Sequence, residues 1–247
     1  RSFLSSASDL IGSDTPVVWA SKGLEEGTGK LLHQVVNEEL PQCSQTAVIS
    51  GPTFAGEVAR SLPTAVTVAS ESQLLADEVS RYLHHGNFRV YTSNDVVGVE
   101  LGGALKNVLA IAAGIADSLG FGANARAALI TRGLAELMRL GTTMGGQRET
   151  FMGLAGMGDL VLTCTDNQSR NRRMGLKLAE GLSKEAIREE IGQEIEGVRT
   201  AREAMRLSEI HNIELPIIEQ VYKVLHEGLS PREAVKHLLE RKSTSEV

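Results

Sequence analysis

The chain changes character at one stretch, Val96-Val-Gly-Val-Glu100-Leu-Gly-Gly-Ala-Leu105-Lys-Asn-Val-Leu-Ala110-Ile-Ala-Ala-Gly-Ile115-Ala-Asp-Ser-Leu119. Nearly all of its residues are apolar or small, and we predict one long helix here. Glycine costs about 1 kcal/mol relative to alanine inside a helix, so glycine at this density makes sense only if another backbone approaches closely. The glycines in question are Gly98, Gly102, Gly103 and Gly114.

Upstream of this stretch, strand patterns alternate with helix patterns. Helical spacing of apolar residues occurs at 31–36 and 74–83, between short runs that are apolar or rich in β-branched residues. This alternation predicts part of an α/β domain at residues 1–94, with a mostly parallel sheet covered by helices. The predicted strands are residues 15–20, 47–50, 64–69 and 88–91.

Downstream of residue 95, strand patterns nearly disappear. A glycine-rich loop is predicted at 153–158, and the rest of the segment reads as helices. We therefore predict an α/β domain followed by an all-α domain at residues 95–247. The predicted helices are 96–119, 123–140, 169–181, 184–190, 198–209, 216–227 and 231–240.

The composition excludes several classes of protein. Hydrophobic residues make up 42% and charged residues 23% of the 247, which is ordinary for a soluble globular protein. The net charge of −6 argues against broad binding to nucleic acid or to a membrane surface. The most apolar run, residues 108–116, is shorter than the roughly 20 residues that cross a bilayer. Cys43 and Cys164 are far apart and the histidines show no ligand spacing, so we expect no metal site and a cytoplasmic location.

Lys106 is the first candidate catalytic residue. Its neighbours are almost all apolar, and lysine is rarely buried without a partner. Removal from water lowers the pKa of a lysine, so that the amine can act as a general acid or base near neutral pH. Asn107 adds a donor and an acceptor beside it. Two structural alternatives are a lysine that extends to solvent at a helix edge and an ion pair with Glu100.

Asp159 follows the glycine-rich segment 153–158 and is the second candidate. A carboxylate directly after such a turn can lie close to another backbone or to a ligand, where it could orient and pair with a catalytic amine. Thr163 would add a hydroxyl group. The structural alternative is a turn with Asp159 as a helix N-cap. The segment is not a dinucleotide-binding fingerprint, because no strand precedes it.

The third candidate is Ser169-Arg170-Asn171-Arg172-Arg173, which opens a predicted helix. Free N–H groups and the helix dipole favour a phosphate at such a terminus, and arginine offers a bidentate fork for its oxygens. A solvated surface is the alternative; a nucleic-acid patch is disfavoured because no aromatic residues interleave.

Two further candidates follow predicted strands. Lys22 and Thr53 lie in turns at the carboxyl ends of strands, where ligands gather in open α/β sheets. Ordinary strand-to-helix turns are the alternative for both.

Five ordered motifs together resemble one family. They are Ala20-Ser-Lys-Gly-Leu-Glu25, Ser50-Gly-Pro-Thr-Phe-Ala55, Gly98-Val-Glu-Leu-Gly-Gly-Ala-Leu-Lys-Asn107, Gly153-Leu-Ala-Gly-Met-Gly-Asp-Leu-Val-Leu-Thr-Cys-Thr165 and Ser169-Arg-Asn-Arg-Arg173. In this order they resemble the NAD(P)-dependent glycerol-3-phosphate dehydrogenase family in its bacterial form. The resemblance implies a Rossmann-like domain followed by a helical domain like that of 6-phosphogluconate dehydrogenase.

The resemblance also implies roles for individual residues. Lys106 resembles the lysine that protonates the carbonyl oxygen of dihydroxyacetone phosphate, and Lys22 a second lysine at the nicotinamide and the substrate. Asp159 would pair with both lysines. The implied substrate-binding residues are Lys22, Gly51, Thr53, Lys106, Asp159, Thr163, Ser169, Arg170 and Asn171. The implied cofactor-binding residues are Lys22, Ala55, Arg170, Glu194 and Glu196.

The family begins with a strand and a glycine-rich turn for the coenzyme pyrophosphate, and neither precedes Arg1. We therefore expect the resemblance to start midway through the Rossmann domain, and the chain as printed to be inactive by itself. The resemblance implies NAD or NADP as cofactor, a homodimer and a supply of glycerol 3-phosphate for phospholipid synthesis. Two alternatives are another β-hydroxyacid-type dehydrogenase and a non-catalytic helical module that binds a protein partner.

Overall fold

The first part of the chain forms a four-stranded sheet with helices. The computed structural model describes residues 1–241. The strands are ordered β1-β2-β3-β4; β1 pairs with β2 and β3 with β4 in parallel, whereas β2 and β3 are antiparallel. The prediction of a mostly parallel sheet is confirmed, with one antiparallel pair. The elements are α1 (Ser2–Ala7), β1 (Val17–Trp19), α2 (Leu32–Glu39), β2 (Thr46–Ser50), α3 (Ala55–Ala59), β3 (Thr64–Ala69), α4 (Gln73–Leu83) and β4 (Phe88–Ser93).

The second part contains helices and, within the described residues, no strand. All the helices predicted after residue 95 are present, with ends shifted by a few residues. Of the predicted domain at 95–247, residues 242–247 lie outside the described part. The elements are α5 (Val96–Ser118), α6 (Gly122–Thr143), α7 (Arg148–Met152), α8 (Asp159–Thr165), α9 (Arg170–Ala179), α10 (Lys184–Ile191), α11 (Glu196–His211), α12 (Pro216–His226) and α13 (Pro231–Leu239).

Helix α5 is the centre of the molecule. Asp95 caps its start by accepting the N–H of Gly98 at 2.8 Å, and α6, α8, α9, α11 and α12 pack around it. Almost every residue from its first turn to Ala116 is buried. The catalytic candidate Lys106 therefore lies on the element that most of the helical core contacts.

Two of the four glycines of α5, Gly102 and Gly114, are places of close backbone approach, as the sequence predicted, whereas Gly98 and Gly103 face side chains. A Cβ atom on Gly114 would collide with the carbonyl oxygen of Arg172 on α9, and one on Gly175 would collide with the carbonyl oxygen of Ile111. The two helices thus meet glycine to glycine. A Cβ atom on Gly102 would meet the carbonyl oxygen of Ala155. The surface that these glycines provide is used inside the chain.

The prediction that the apolar stretch is too short for a bilayer was wrong. The apolar pattern extends beyond residues 108–116, and α5 has 23 residues with a mean hydropathy of 1.5, enough to cross a membrane by length and composition. Within the structure, 94% of its most apolar window is buried. Its apolar character is that of a core helix enclosed by other helices.

We predict that Gly114→Ala destabilises the protein. A methyl group at this position would press on the Arg172 backbone, and overpacking of this kind costs about 2 kcal/mol in the free energy of unfolding. Urea denaturation measures the change. Gly12→Ala is the control, because the new Cβ would meet only the Thr15 hydroxyl, at an ordinary contact distance of 3.7 Å. Unchanged stability in Gly114→Ala would contradict the close helix packing.

Candidate active site

Lys106 is buried in the middle of α5, with only 7% of the residue exposed. Its Nζ atom forms an ion pair with Asp159 Oδ1 and donates a hydrogen bond to Thr163 Oγ1 at 2.9 Å. Burial lowers the pKa of Lys106 to about 8; the charge of Asp159 opposes this shift and that of Lys22 adds to it. Both structural alternatives are excluded, because the amine does not extend to solvent and its partner is not Glu100.

Asp159 is the carboxylate that two lysines share. It is 1% exposed and begins α8. One oxygen faces Lys106, and the other lies 2.5 Å from Lys22 Nζ. A carboxylate between two ammonium groups holds both in place and offsets part of their repulsion.

The segment before Asp159 is not the loop that the sequence predicted. Leu154–Gly158 forms a π-helical turn that runs directly into α8. Glycine allows this because a Cβ atom on Gly156 would collide with the Phe151 backbone. The element before the turn is the helix α7 and not a strand, so the segment lacks the context of a dinucleotide fingerprint.

Lys22 reaches Asp159 from the end of β1. Its Nζ atom also donates to the carbonyl oxygen of Gly51 at 3.3 Å, and Thr53 Oγ1 donates to that same oxygen at 3.1 Å. Gly51 has a φ of 141°, and a Cβ atom there would lie 3.1 Å from the Cα of Val66. The two strand-end turns therefore meet at the lysine, as expected for the carboxyl ends of strands.

Three polar residues at the start of α9 make contacts inside the protein. Ser169 caps the helix by accepting the N–H of Arg172 at 3.2 Å. Arg172 points into the protein and pairs with Asp117 at 2.5 Å. Asn171 donates to Asn107 on α5 and accepts the N–H of Gly197, both at 2.9 Å. Its side chain thus ties three helices together, a role that sequence reasoning missed.

Arg170 faces a cleft with a volume of about 480 Å³. Its guanidinium pairs with Glu196 at the start of α11, at 2.8 Å. Gly51 and Asp159 support this cleft from behind Lys22 and Lys106. The predicted residues that line it are Lys22, Thr53, Ala55, Lys106, Thr163, Ser169, Arg170, Asn171 and Glu196.

Glu194 is the predicted site residue that neither lines the cleft nor supports it from behind. It pairs on the surface with Arg199 at 3.3 Å and with Arg188 at 3.8 Å. Its neighbour Gln193 lines the cleft instead. These two adjacent residues of the connection between α10 and α11 therefore face different surroundings.

Arg173 is a cleft residue that we did not single out as a binding residue. Its Nε atom is buried and has no hydrogen-bond partner within the described residues. An unpaired buried donor is costly, which marks the position as a place for a ligand acceptor. The signal was present in the sequence, because residues 170 and 173 share a helix face.

Comparison with known proteins agrees with this geometry. A family model described as the NAD-dependent glycerol-3-phosphate dehydrogenase C-terminus matches residues 95–236, and the model of the corresponding N-terminus matches residues 1–76. The chain belongs to the NAD-dependent glycerol-3-phosphate dehydrogenase family. The resemblance seen in the five motifs is thereby confirmed.

Individual relatives are similar over most of the chain. The glycerol-3-phosphate dehydrogenase [NAD(P)+] of Nitrosococcus oceani is 56% identical over 100% of this chain and 72% of its own length. That of Thioalkalivibrio sulfidiphilus is 61% identical over 91% of this chain and 68% of its own length. The crystal structure of glycerol-3-phosphate dehydrogenase from Coxiella burnetii is 52% identical, with a TM-score of 0.93 over 97% of this chain and 73% of that one. The predicted fold class is therefore confirmed.

We predict that Lys106→Met changes how stability depends on pH. The pKa of Lys106 falls from 10.5 to about 8 on folding, so between these values the unfolded chain binds more protons and this group makes stability rise with pH. Methionine removes the buried charge. The stability of the variant relative to the parent should therefore fall by on the order of 3 kcal/mol between pH 7 and pH 10.5.

Urea denaturation at several pH values measures this change. Lys236→Met, at a lysine whose side chain is 70% exposed, is the matched control. A difference between Lys106→Met and the parent that stays constant with pH would contradict a lowered Lys106 pKa.

Proposed function

We propose that the chain interconverts sn-glycerol 3-phosphate and dihydroxyacetone phosphate by hydride transfer with NAD or NADP. One observation carries the proposal. Two lysines share a buried carboxylate beside the cleft that the arginines at the start of α9 also line. A ketone that carries a phosphate needs a proton donor and an anion site within reach of each other.

The coenzyme would contact residues at the ends of the strands and at the start of α11. The cleft lies at the carboxyl ends of β1 and β2, the usual place for a nucleotide in such a sheet. The buried, unpartnered Nε of Arg173 fits an anionic or polar ligand there. We assign contacts with the nicotinamide end to Lys22, Ala55, Arg170 and Glu196, which line the cleft. When bound, the coenzyme supplies the hydride.

Lys106 is the proton donor in this proposal. Hydride addition to a carbonyl carbon builds negative charge on the oxygen, and a positioned ammonium group neutralises and protonates it. In the reverse direction the neutral amine takes the proton of the alcohol. A pKa of about 8 leaves both forms accessible near neutral pH, which suits a reversible reaction.

Asp159, Thr163 and Lys22 keep Lys106 ready for this step. Asp159 and Thr163 each accept a hydrogen bond from its Nζ atom, which fixes the direction of the remaining proton. Lys22 adds a second positive charge at the same carboxylate, and this charge favours proton release from Lys106.

The start of α9 binds the substrate phosphate. Backbone N–H groups at Arg170 and Asn171, together with the helix dipole, favour an anion there, and the Arg170 guanidinium adds a charged fork. Ser169 shapes this terminus as its cap; Thr53 lines the same cleft, and Gly51 supports it from behind Lys22. Binding energy from the phosphate orients the distant carbonyl carbon.

The wider assignment follows the family. Residues 1–94 contribute to the nucleotide-binding domain and residues 95–247 form the substrate and catalytic domain. The enzyme works as a cytoplasmic homodimer and supplies glycerol 3-phosphate for phospholipid synthesis. Another β-hydroxyacid-type dehydrogenase and a non-catalytic helical module are the competing assignments, and membership of the family favours neither.

The deciding experiment is oxidation of NADPH and NADH that depends on dihydroxyacetone phosphate. It is run on the chain as printed and on the protein expressed from its complete reading frame. Turnover in either supports the proposal. Turnover of phosphate-free 3-hydroxy acids without any response to dihydroxyacetone phosphate would replace it with the β-hydroxyacid assignment. No turnover of either substrate would favour the interaction module.

We predict that Lys106→Met lowers the rate of dihydroxyacetone phosphate reduction at least about 100-fold, because the proton donor is lost. In the parent enzyme the rate of reduction should fall as pH rises through about 8, and the rate of the reverse reaction should rise. Steady-state kinetics from pH 6 to 10 measure both. Near-normal turnover in the variant would remove Lys106 from the mechanism.

We predict that Arg170→Ala weakens the binding of dihydroxyacetone phosphate far more than the binding of phosphate-free dihydroxyacetone. A charged hydrogen bond to phosphate is worth about 2 kcal/mol, or roughly 30-fold in affinity. Calorimetric titration of both compounds measures the ratio. Arg188→Ala, at an exposed arginine of α10, is the control. Equal losses for the two compounds would show that Arg170 does not bind the phosphate.

A further inference from the structure

Glu100 is a buried carboxylate on α5 that takes no part in the chemistry described above. It is 4% exposed. One of its oxygens accepts the indole N–H of Trp19 at 3.1 Å and the backbone N–H of His33 at 2.9 Å. The other lies 2.5 Å from His33 Nδ1. All three contacts cross from α5 to the α/β part of the chain.

These contacts hold the two ends of one segment. Trp19 is the last residue of β1, and His33 lies in the first turn of α2. The N-cap residue of α2 is Leu31, which has no polar side chain for capping, so the Glu100 carboxylate supplies the acceptor at this helix start. The connection between these ends, residues 20–31, carries Lys22.

The aliphatic part of Lys22 lies against the same helix. A Cβ atom on Gly103 would lie 3.3 Å from Lys22 Cγ and 2.8 Å from Ser50 Oγ. The bare backbone at Gly103 therefore lets the lysine pass close to α5 on its way to Asp159. Helix α5 is thus the common support of Lys106 and of the segment that presents Lys22.

We propose that Glu100 is a positioning residue that sets the Lys22 ammonium group against Asp159 by tying both ends of segment 20–31 to α5. The proposal rests on the proposed function, in which Lys22 and Lys106 act on one substrate. A displacement of about 1 Å at a catalytic group can cost as much as 100-fold in rate. A buried carboxylate that fixes the distance from Lys22 to α5 would therefore preserve the reaction rate.

Helix α11 restrains the same segment elsewhere. Glu203 accepts the backbone N–H of Gly27 at 2.8 Å, and Arg206 donates a hydrogen bond to the carbonyl oxygen of Gly27. Leu24 and Leu31 are buried in the helical core. Loss of Glu100 should therefore loosen the segment near Lys22 without releasing it from the protein.

The test is the rate at which each lysine is acetylated by N-hydroxysuccinimidyl acetate in the ligand-free, folded protein expressed from its complete reading frame. Mass spectrometry of peptides gives the rate for each site. In Glu100→Ala we expect Lys22 to react about tenfold faster, because its ion pair opens more often, and Lys106 to be unchanged. Glu100→Gln should react as the parent does, because its amide oxygen still accepts from Trp19 and His33.

Glu136→Ala is the matched control. Glu136 is also 4% exposed, and it accepts the N–H groups of Ile217 at 2.7 Å and Ile218 at 3.2 Å at the start of α12. The substitution Glu136→Ala therefore also removes a buried carboxyl group that caps a helix, but this group does not contact segment 20–31. We expect a comparable fall in Tm with no change in Lys22 acetylation.

Unchanged Lys22 acetylation in Glu100→Ala would overturn the proposal, as would an equal increase in Glu136→Ala. If Glu100→Ala does not fold, Trp19→Phe removes one donor and keeps an aromatic ring; a faster Lys22 reaction is again expected, and no increase overturns the proposal. Acetylation needs no substrate, so its result is independent of the proposed reaction. In the dehydrogenase assay, kcat should fall about tenfold or more in Glu100→Ala and stay near the parent value in Glu100→Gln.

Discussion

The carboxylate of Asp159 pairs with two ammonium groups where water hardly reaches, and the architecture around the cleft depends on that arrangement. Lys106 comes from the central helix, Lys22 from the end of a strand and Asp159 from the first turn of another helix. A buried charge without its partner costs several kcal/mol, so these three elements must meet within hydrogen-bond distance for the folded state to be stable. Burial at this meeting point lowers the pKa of Lys106 to about 8, against the opposing charge of Asp159, and so brings it into the range where it can exchange a proton.

Such a meeting requires backbones to come closer than ordinary side chains allow. Gly102 lets the π-helical turn before Asp159 lie against α5, and Gly103 lets Lys22 pass along the same helix. About three turns farther along, Gly114 on α5 and Gly175 on α9 bring the two helices together, and with them the candidate phosphate site. The helix tolerates the propensity cost of these glycines because each is repaid by tertiary packing around the cleft.

The start of α9 shows how one short motif serves stability and binding together. Ser169 and Arg172 face inward, where they cap the helix and pair with Asp117. Arg170 and Arg173 lie on the face toward the cleft. Inward contacts fix the direction of the helix, so that its free N–H groups and its outward arginines point at the same ligand. An anion site of this kind is built by packing as much as by charge.

The sequence by itself determined the local structure and much of the candidate site. Periodicity identified the strands, the long helices and the central helix α5, because hydrophobic spacing is a local property. A lysine among apolar neighbours identified Lys106, and a serine before arginines identified the start of α9. Short helices such as α3 and α7 escaped because five residues do not show a helical period. The π-helical turn at 154–158 was mistaken for a loop, since glycine is typical of both.

Only the tertiary structure decided which of these residues meet. Lys22 and Asp159 are 137 positions apart, and no local pattern connects them. The partner of Lys106 proved to be Asp159, whereas Glu100 faces Trp19 and His33, because helical rotation directs the two side chains of α5 to different neighbours. Likewise, Gln193 lines the cleft whereas its neighbour Glu194 does not, because the two side chains face different surroundings. Local spacing specifies which groups a segment carries, but charge pairing and exclusion of water depend on packing between distant segments.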